Sequence, residues 1–167
     1  WILKSYGKRD QMPMRQKLSA NWAYSLFFET PYEAIKYLRQ ILDIDDQAAG
    51  TYLNLGNVYN RLYQYDKAIP EYEKALEIFK KWDSKPRWVL NYTFLGEAYH
   101  KTGQYKKEKK LYKKAELDFP DDPDLIARQT ILSLTEEDTV AANRYINQYI
   151  SIRKEQSWTE AHFSPRL

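Results

Sequence analysis

The sequence of 167 residues contains no cysteine, which excludes disulfide bonds, thiolate metal sites and a cysteine nucleophile. Its two histidines, His100 and His162, are too few for a histidine-rich metal site or a catalytic triad. The longest uncharged apolar run of interest, residues 22–28, is far shorter than the roughly 20 residues of a membrane-spanning helix. A net charge of +3 does not by itself indicate nucleic-acid binding.

Motifs for catalysis or cofactor binding are also missing. The chain has no glycine-rich phosphate loop, no Gly-x-Ser-x-Gly and no His-Glu-x-x-His. Aspartates cluster at 43–46 and 121–124, but neither cluster supplies the alternating ligands, central glycine and closing glutamate of a calcium loop. We interpret them as acids at helix junctions. The sequence therefore predicts no catalytic residue, no metal site, no cofactor and no enzyme activity.

What the sequence does contain is an internal repeat. Residues 51–79 align with residues 91–119 at an offset of 40, and eleven of the 29 aligned pairs are identical. The first four identical pairs have the spacing i, i+3, i+4 and i+7 of one helix face. The later pairs mark the inner face of a second helix. The repeating unit is therefore predicted to be two antiparallel helices joined by a short connection.

A glycine in the middle of each first helix has a steric explanation. Gly56 and Gly96 each cost roughly 1 kcal/mol relative to alanine in a helix. We expect a glycine there because a Cβ would keep a neighbouring helix away. We expect the large tyrosines beside these small residues to fill the space between repeating units, and eight of the fifteen tyrosines lie at such packing positions.

These motifs resemble the tetratricopeptide repeat. The residues that carry the resemblance in the two copies are Tyr52, Leu55, Gly56, Tyr59, Tyr65, Ala68, Tyr72 and Ala75, and Tyr92, Leu95, Gly96, Tyr99, Gly103, Tyr105, Tyr112, Ala115 and Pro120. The resemblance implies an all-α fold, a right-handed superhelical solenoid of antiparallel helix pairs. Weaker copies on both sides predict one domain over residues 1–167. It is expected to contain about four repeats, at residues 13–48, 49–84, 86–120 and 122–156, followed by a partial terminal helix at residues 157–167.

The second copy departs from the family pattern in two places. Glu108 stands where alanine is usual, so we expect either looser packing there or a glutamate that leans out to water. The offset of 40 exceeds the usual 34, which predicts an overlong second helix before residue 83. Asp83 or Ser84 is then expected to cap the next helix, with Pro86 in its first turn.

The resemblance implies that first helices line a concave groove. Polar donors and acceptors on them suit an extended peptide, and aromatic side chains suit an apolar anchor. Leu53 and Leu90 stand where a clamp for a terminal carboxylate has basic residues, so no such clamp is predicted. The predicted groove residues are Tyr24, Phe27, Phe28, Asn57, Asn60, Arg61, Thr93, Glu97, His100, Lys101 and Arg128.

The sequence therefore predicts a non-catalytic protein–protein interaction module that binds a peptide or a partner's helix. It is similar to the repeat regions of bacterial multidomain regulators. The apolar start at residues 1–3 and the incomplete unit carrying Trp158 and Phe163 lead us to expect a segment excised from a larger protein. The absence of cysteine fits both cytoplasm and periplasm, with the cytoplasm favoured, and no membrane insertion is expected.

Two alternative functions stay open at this point. The apolar ends could pair with a second copy to form a homodimer. A run of seven lysines between Lys101 and Lys114, interleaved with Tyr105 and Tyr112, could bind nucleic acid. We favour the interpretation that both tyrosines are packing residues and that the lysines form the solvated face of a second helix.

Overall fold

The structure is a computed structural model, which describes the backbone of residues 1–163 and the side chains of residues 1–154. The described chain is helical and has no strand. A short 3₁₀ helix, Arg9–Gln11, follows the first α-helix. The α-helices in chain order are α1 Ile2–Gly7, α2 Met14–Phe28, α3 Pro31–Ile44, α4 Ala49–Arg61, α5 Tyr65–Lys81, α6 Leu90–Lys101, α7 Tyr105–Asp118, α8 Pro123–Thr135 and α9 Thr139–Phe163.

The chain divides into two compact units, unit 1 at Trp1–Pro86 and unit 2 at Arg87–Leu167. Unit 1 contains the hairpins α2/α3 and α4/α5, and unit 2 contains the hairpins α6/α7 and α8/α9. A repeat array can be divided in this way because each hairpin contacts mainly its neighbours. The expectation of a single domain over residues 1–167 stays a prediction.

The hairpins of unit 1 pack around small and branched apolar residues. Leu38 and Leu42 of α3 contact Leu55 and Val58 of α4, and all four are buried. Helix α3 begins where the sequence favours a start: the Thr30 side chain accepts a hydrogen bond from the backbone N–H three residues later, and proline occupies the first position. The apolar stripe of α3 thus becomes the core that joins the two hairpins.

Unit 2 has its core between α6, α7 and α8. Tyr92, Leu95, Tyr112 and Leu125 are the largest apolar side chains in it, and each is at most 1% exposed. Asp122 caps α8 by accepting hydrogen bonds from two backbone N–H groups, as expected for an acid at a helix junction.

The same turn closes three hairpins. Tyr63, Gly103 and Glu137 each adopt a left-handed backbone conformation, with φ of 58°, 69° and 58°. The next residue donates its backbone N–H to a carbonyl five residues earlier, at 3.0, 2.9 and 2.9 Å. This is the arrangement that satisfies free carbonyls at a helix C-terminus. Glycine is the residue best suited to it, yet only one of the three turns has a glycine.

The two mid-helix glycines occupy equivalent environments. A Cβ added to Gly56 would lie 2.5 Å from Cε1 of Tyr72, and one added to Gly96 would overlap the ring of Tyr112. Both tyrosines lie sixteen residues further along the chain, on the second helix of the same hairpin, and both are buried. The expectation that each glycine admits a neighbouring helix is confirmed.

Two boundary predictions are wrong. Helix α6 begins at Leu90 without a side-chain cap, so Asp83 and Ser84 do not start it. Instead they end α5: Asp83 has a φ of 47°, and Ser84 donates its backbone N–H to the Phe79 carbonyl at 3.0 Å. The second error lies at residue 157, where a new helix was expected, because α9 continues unbroken from Thr139 to Phe163.

Candidate functional site

In unit 1, the predicted aromatic anchors belong to a stacked column. The rings of Tyr6 and Tyr24 stack with their centroids 3.8 Å apart, and those of Tyr24 and Phe28 follow at 4.6 Å. The guanidinium of Arg9 lies over the other side of Tyr6, 3.9 Å from its centroid. Tyr24 is therefore covered by α1, an element that the sequence did not predict. Phe28, 54% exposed, remains available, as does Phe27 beside it.

The three predicted polar residues of α4 differ in their surroundings. Asn57 is engaged internally, because its Oδ1 accepts a hydrogen bond from the Tyr72 hydroxyl at 2.7 Å. Asn60 keeps a buried Oδ1 without a hydrogen-bond partner in the described part of the chain. Arg61 is exposed, and it lines an open hollow of about 120 Å³ with Val58 and with Glu29, the residue that follows α2.

This hollow is shared by three helices of unit 1. Its walls come from α2, α3 and α4, including Ser25, Leu26 and Ala34. One carboxylate oxygen of Glu29 is buried without a partner among the described residues. The hollow thus combines an apolar floor with an acceptor on one side and the Arg61 guanidinium on another, which is a chemistry suited to a polypeptide segment.

In unit 2, two predicted groove residues meet directly. Nη2 of Arg128 on α8 lies 2.9 Å from Oε2 of Glu97 on α6, and both side chains remain partly exposed. The pair shows that these two polar side chains, one from each first helix of the unit, lie side by side. Thr93 is different: it is 2% exposed, so its predicted place in the groove is wrong.

His100 and Glu108 form a largely buried polar contact in unit 2. Nδ1 of His100 lies 3.0 Å and 3.2 Å from the two carboxylate oxygens of Glu108. The Glu108 side chain is only 2% exposed, whereas that of His100 is 22% exposed. Burial raises the pKa of the Glu108 carboxyl, and the nearby His100 offsets part of that rise. The expectation of a glutamate that leans out to water is therefore wrong.

A difference between the two copies signals this contact. At the offset of 40, His100 and Glu108 replace Asn60 and Ala68, so both partners change together. An alanine replaced by glutamate on an inner helix face needs a polar partner one helix away. Sequence reasoning named His100 as a groove residue and missed that its imidazole is committed to Glu108.

The lysines of α7 lie on the outer face of unit 2. Lys101 of α6 and most lysines of α7 are exposed, whereas Tyr112 is 1% exposed and Tyr105 packs edge-on against the His100 ring at 5.3 Å. Tyr112 is therefore a packing residue, as we favoured.

Another feature missed from sequence is a hydrogen bond from the Tyr92 hydroxyl to Asp118, which together with burial raises the pKa of Tyr92.

Comparison with known proteins agrees with these helical hairpins. Residues 47–116 match the tetratricopeptide repeat family model. The chain thus contains tetratricopeptide repeats, and this region of it belongs to that family. A curated relative, kinesin light chain-related protein 1 of Arabidopsis thaliana, is 33% identical over 67 residues. The match covers 39% of this chain and 11% of that protein, so the chain spans a small part of the relative.

Solved structures show the same fold over most of the chain. A crystal structure of MamA has a TM-score of 0.75 at 18% identity, covering 92% of this chain and 86% of that one. The Cut9–Hcn1 hetero-tetramer of the APC/C gives 0.73 at 20% identity, covering 91% and 28%. A putative kinesin light chain of Podospora anserina with nearly identical repeats gives 0.69 at 16% identity, covering 93% and 85%. These matches confirm the all-α repeat fold.

The class of fold defines a general role. Arrays of this kind present extended surfaces to other proteins, so the chain is a protein–protein interaction module in general terms. Within the part of the chain that the structure describes, no helix combines the length and apolarity needed to cross a bilayer.

Proposed function

We propose that this chain is a non-catalytic binding module whose first helices take a peptide or a partner's helix. The observation that carries the proposal is the Glu97–Arg128 pair, which places side chains of α6 and α8 on one partly exposed face.

Unit 1 supports the same proposal with a different chemistry. The hollow between α2, α3 and α4 offers the Arg61 guanidinium and the buried Glu29 oxygen around an apolar floor. Phe28 lies exposed at the end of α2 and can receive an apolar side chain. A preformed surface of this kind binds a segment without much ordering of its own, which favours affinity.

A peptide selection followed by a charge exchange tests the proposal. Peptides are selected from a random display library against the whole chain, and their affinities are measured by calorimetry. The variant E97R/R128E keeps an ion pair between α6 and α8 but reverses the charges that a ligand meets. We expect selected peptides to lose about tenfold or more in affinity, since close charge pairs at interfaces contribute more than 1 kcal/mol.

The matched control is a second ion pair exchanged in the same way. Nζ of Lys109 lies 2.6 Å from Oε2 of Glu136, away from the first-helix face, so K109E/E136K should leave binding unchanged. Equal losses of peptide affinity in both variants would contradict binding at the first-helix face, the surface of α6 and α8 that carries Glu97 and Arg128. A library that yields no binding peptide would contradict it as well. The expectation that the segment belongs to a larger regulatory protein stays a prediction, which the sequence on either side would test.

Self-association is a second candidate, favoured by one observation. An apolar hollow of about 350 Å³ lies between α1 and α2, lined by Trp1, Ile2, Met12 and Trp22 among others. Trp1 is 92% exposed, which is costly for so large an apolar side chain. A second copy covering this hollow would give a mass in light scattering that rises with concentration and falls in W1S. A mass that stays monomeric would exclude the dimer. The side chains of Trp158 and Phe163, the other predicted contributors, lie outside the described residues.

A further inference from the structure

The outer face of α7 carries three lysines for which the described residues provide no salt bridge. Lys106, Lys110 and Lys113, here called the lysine stripe, follow one another at intervals of four and three residues and are all exposed. This spacing places them along one side of the helix. Within the residues that the structure describes, none of the three makes an ion pair.

The neighbouring lysines have internal partners. Lys107 lies over the Tyr99 ring at 5.3 Å, and Lys114 lies over the Tyr92 ring at 5.9 Å. The first copy repeats one of these contacts, because Lys67 lies over the Tyr59 ring at 6.0 Å. These lysines therefore belong to the packing of the hairpin. The lysine stripe does not.

The first copy also shows that the hairpin does not need a positive stripe. At the offset of 40, the lysine stripe aligns with Asp66, Pro70 and Glu73, which hold the same positions on α5. An acid at the position of Asp66 suits the first turn of a helix, whereas a lysine at Lys106 opposes the helix dipole. Like charges three and four residues apart are unfavourable as well. By these two effects the lysine stripe is unfavourable for α7.

One apolar residue extends the stripe. Leu117 lies four residues beyond Lys113 on the same side of α7 and is 84% exposed. From Lys106 to Leu117 the rise is about 16 Å, three turns of helix. The surface therefore presents three positive charges followed by an apolar contact, in a fixed order along a rigid element.

We propose that the lysine stripe and Leu117 bind an acidic, amphipathic segment of a partner protein. Its carboxylates would lie three or four residues apart along one side of a helix, and an apolar side chain one turn further would meet Leu117. This surface lies on a second helix, so it is separate from the first-helix face proposed above, and either can exist without the other.

Three observations favour an acidic polypeptide over nucleic acid. Of the tyrosines interleaved with the lysines, Tyr112 is buried and offers no platform for stacking bases, and Tyr105 is only partly exposed and packs edge-on against His100. Unit 2 holds thirteen Lys and Arg against twelve Asp and Glu, so no extended positive field surrounds the stripe. Exposed Leu117 suits an apolar side chain better than a phosphate backbone.

The test uses a designed helical peptide and two competing probes. The peptide carries glutamates at positions i, i+4 and i+7 and a leucine at i+11, and its binding to the whole chain is followed by fluorescence anisotropy at about 150 mM salt, where exposed long-range charge effects are largely screened. A scrambled peptide of equal composition and a single-stranded DNA of random sequence are measured beside it. We expect the ordered peptide to bind at least about tenfold more tightly than either.

Matched variants locate the binding. K106D/K113E replaces two lysines of the stripe by the acidic residues that occupy the equivalent positions of the first copy. The hairpin should therefore still fold, with a thermal midpoint equal to or above that of the wild type. The double variant should lower affinity about tenfold or more, and L117S should lower it about fivefold, because serine removes the apolar contact that Leu117 makes with the peptide. The control K80D/K81E makes the same change in net charge on exposed positions of α5 and should leave affinity unchanged.

Several outcomes would overturn the proposal. Equal binding of the scrambled peptide would mean attraction by bulk charge alone. Tighter binding of DNA would assign the surface to nucleic acid. Loss of affinity in K80D/K81E equal to that in K106D/K113E, or no binding of the ordered peptide at millimolar concentration, would remove the stripe as a docking surface.

Discussion

The imidazole of His100 joins α6 to the carboxylate of Glu108 on α7, in a unit whose first-copy counterpart has Asn60 and Ala68 at the same positions. We predict that H100N alone lowers the free energy of unfolding by about 2 kcal/mol, because it removes the histidine partner of a buried carboxylate. H100N/E108A, which installs both first-copy residues, should lie within about 1 kcal/mol of the wild type. Urea unfolding of the single and double variants measures both values, and additive losses would contradict the pairing.

The pH dependence of stability should report Glu108. Burial raises its pKa above the ordinary value of 4.5. The folded state therefore holds this proton to higher pH than the unfolded state does, so the contribution of Glu108 to stability falls as pH rises from about 4.5 through the folded pKa. E108Q does not titrate and is the reference. The difference in free energy of unfolding between wild type and E108Q should shrink or reverse over that window, and a constant difference would contradict the raised pKa.

Alanine at the two mid-helix glycines should destabilise the chain. G56A and G96A each place a Cβ against a buried tyrosine ring, Tyr72 or Tyr112. Overpacking costs about 1–3 kcal/mol, and the helical preference of alanine offsets only part of it, so we expect a net loss of about 1–2 kcal/mol. The control is G50A in α4, where nothing lies within 4 Å, and a gain of about 0.5 kcal/mol is expected. Thermal unfolding of the three variants measures these effects. Stabilisation in all three would contradict the close contact between each mid-helix glycine and its tyrosine ring.

Glycine should stabilise the turns that lack it. Tyr63 is 80% exposed and has a φ of 58°, a conformation that costs a residue with a Cβ about 1 kcal/mol. Y63G should therefore raise the free energy of unfolding by about that amount. The gain is reduced because the variant also loses the ring contact between Tyr63 and Tyr65. G103A, the reverse change in the equivalent turn, should lower it by about 1 kcal/mol. Chemical denaturation measures both, and shifts of equal sign would show that the backbone conformation does not decide the effect.

The sequence was informative where side-chain size alone determines the packing. The spacing of Gly56 and Tyr72, repeated in Gly96 and Tyr112, depends on steric fit within one hairpin, and local pattern is enough to predict it. The acids at residues 121–124 were predicted to lie at a helix junction, and Asp122 does cap the start of α8. The start of α6 was not predicted correctly, because Asp83 and Ser84 offer cap chemistry that the structure uses to close α5 instead.

The candidate binding residues were harder to predict. Glu97 and Arg128 share a face as the helical spacing suggested, since both lie on first helices. The helical spacing also placed Asn57 and His100 in the groove, yet each contacts a side chain of the second helix. Asn57 contacts Tyr72, and His100 contacts Glu108. Contacts of this kind depend on how two helices meet, which periodicity within one helix does not contain.

The matching turns and glycine–tyrosine contacts of the α4/α5 and α6/α7 hairpins have a consequence for how such a chain diversifies. Because the inside of each hairpin is specified by a few fixed residues, a duplicated copy can change the charge of its outward side without a redesign of its interior. The acidic positions on α5 and the basic positions on α7 are the two results of such a divergence. A repeated hairpin can in this way give surfaces of opposite charge.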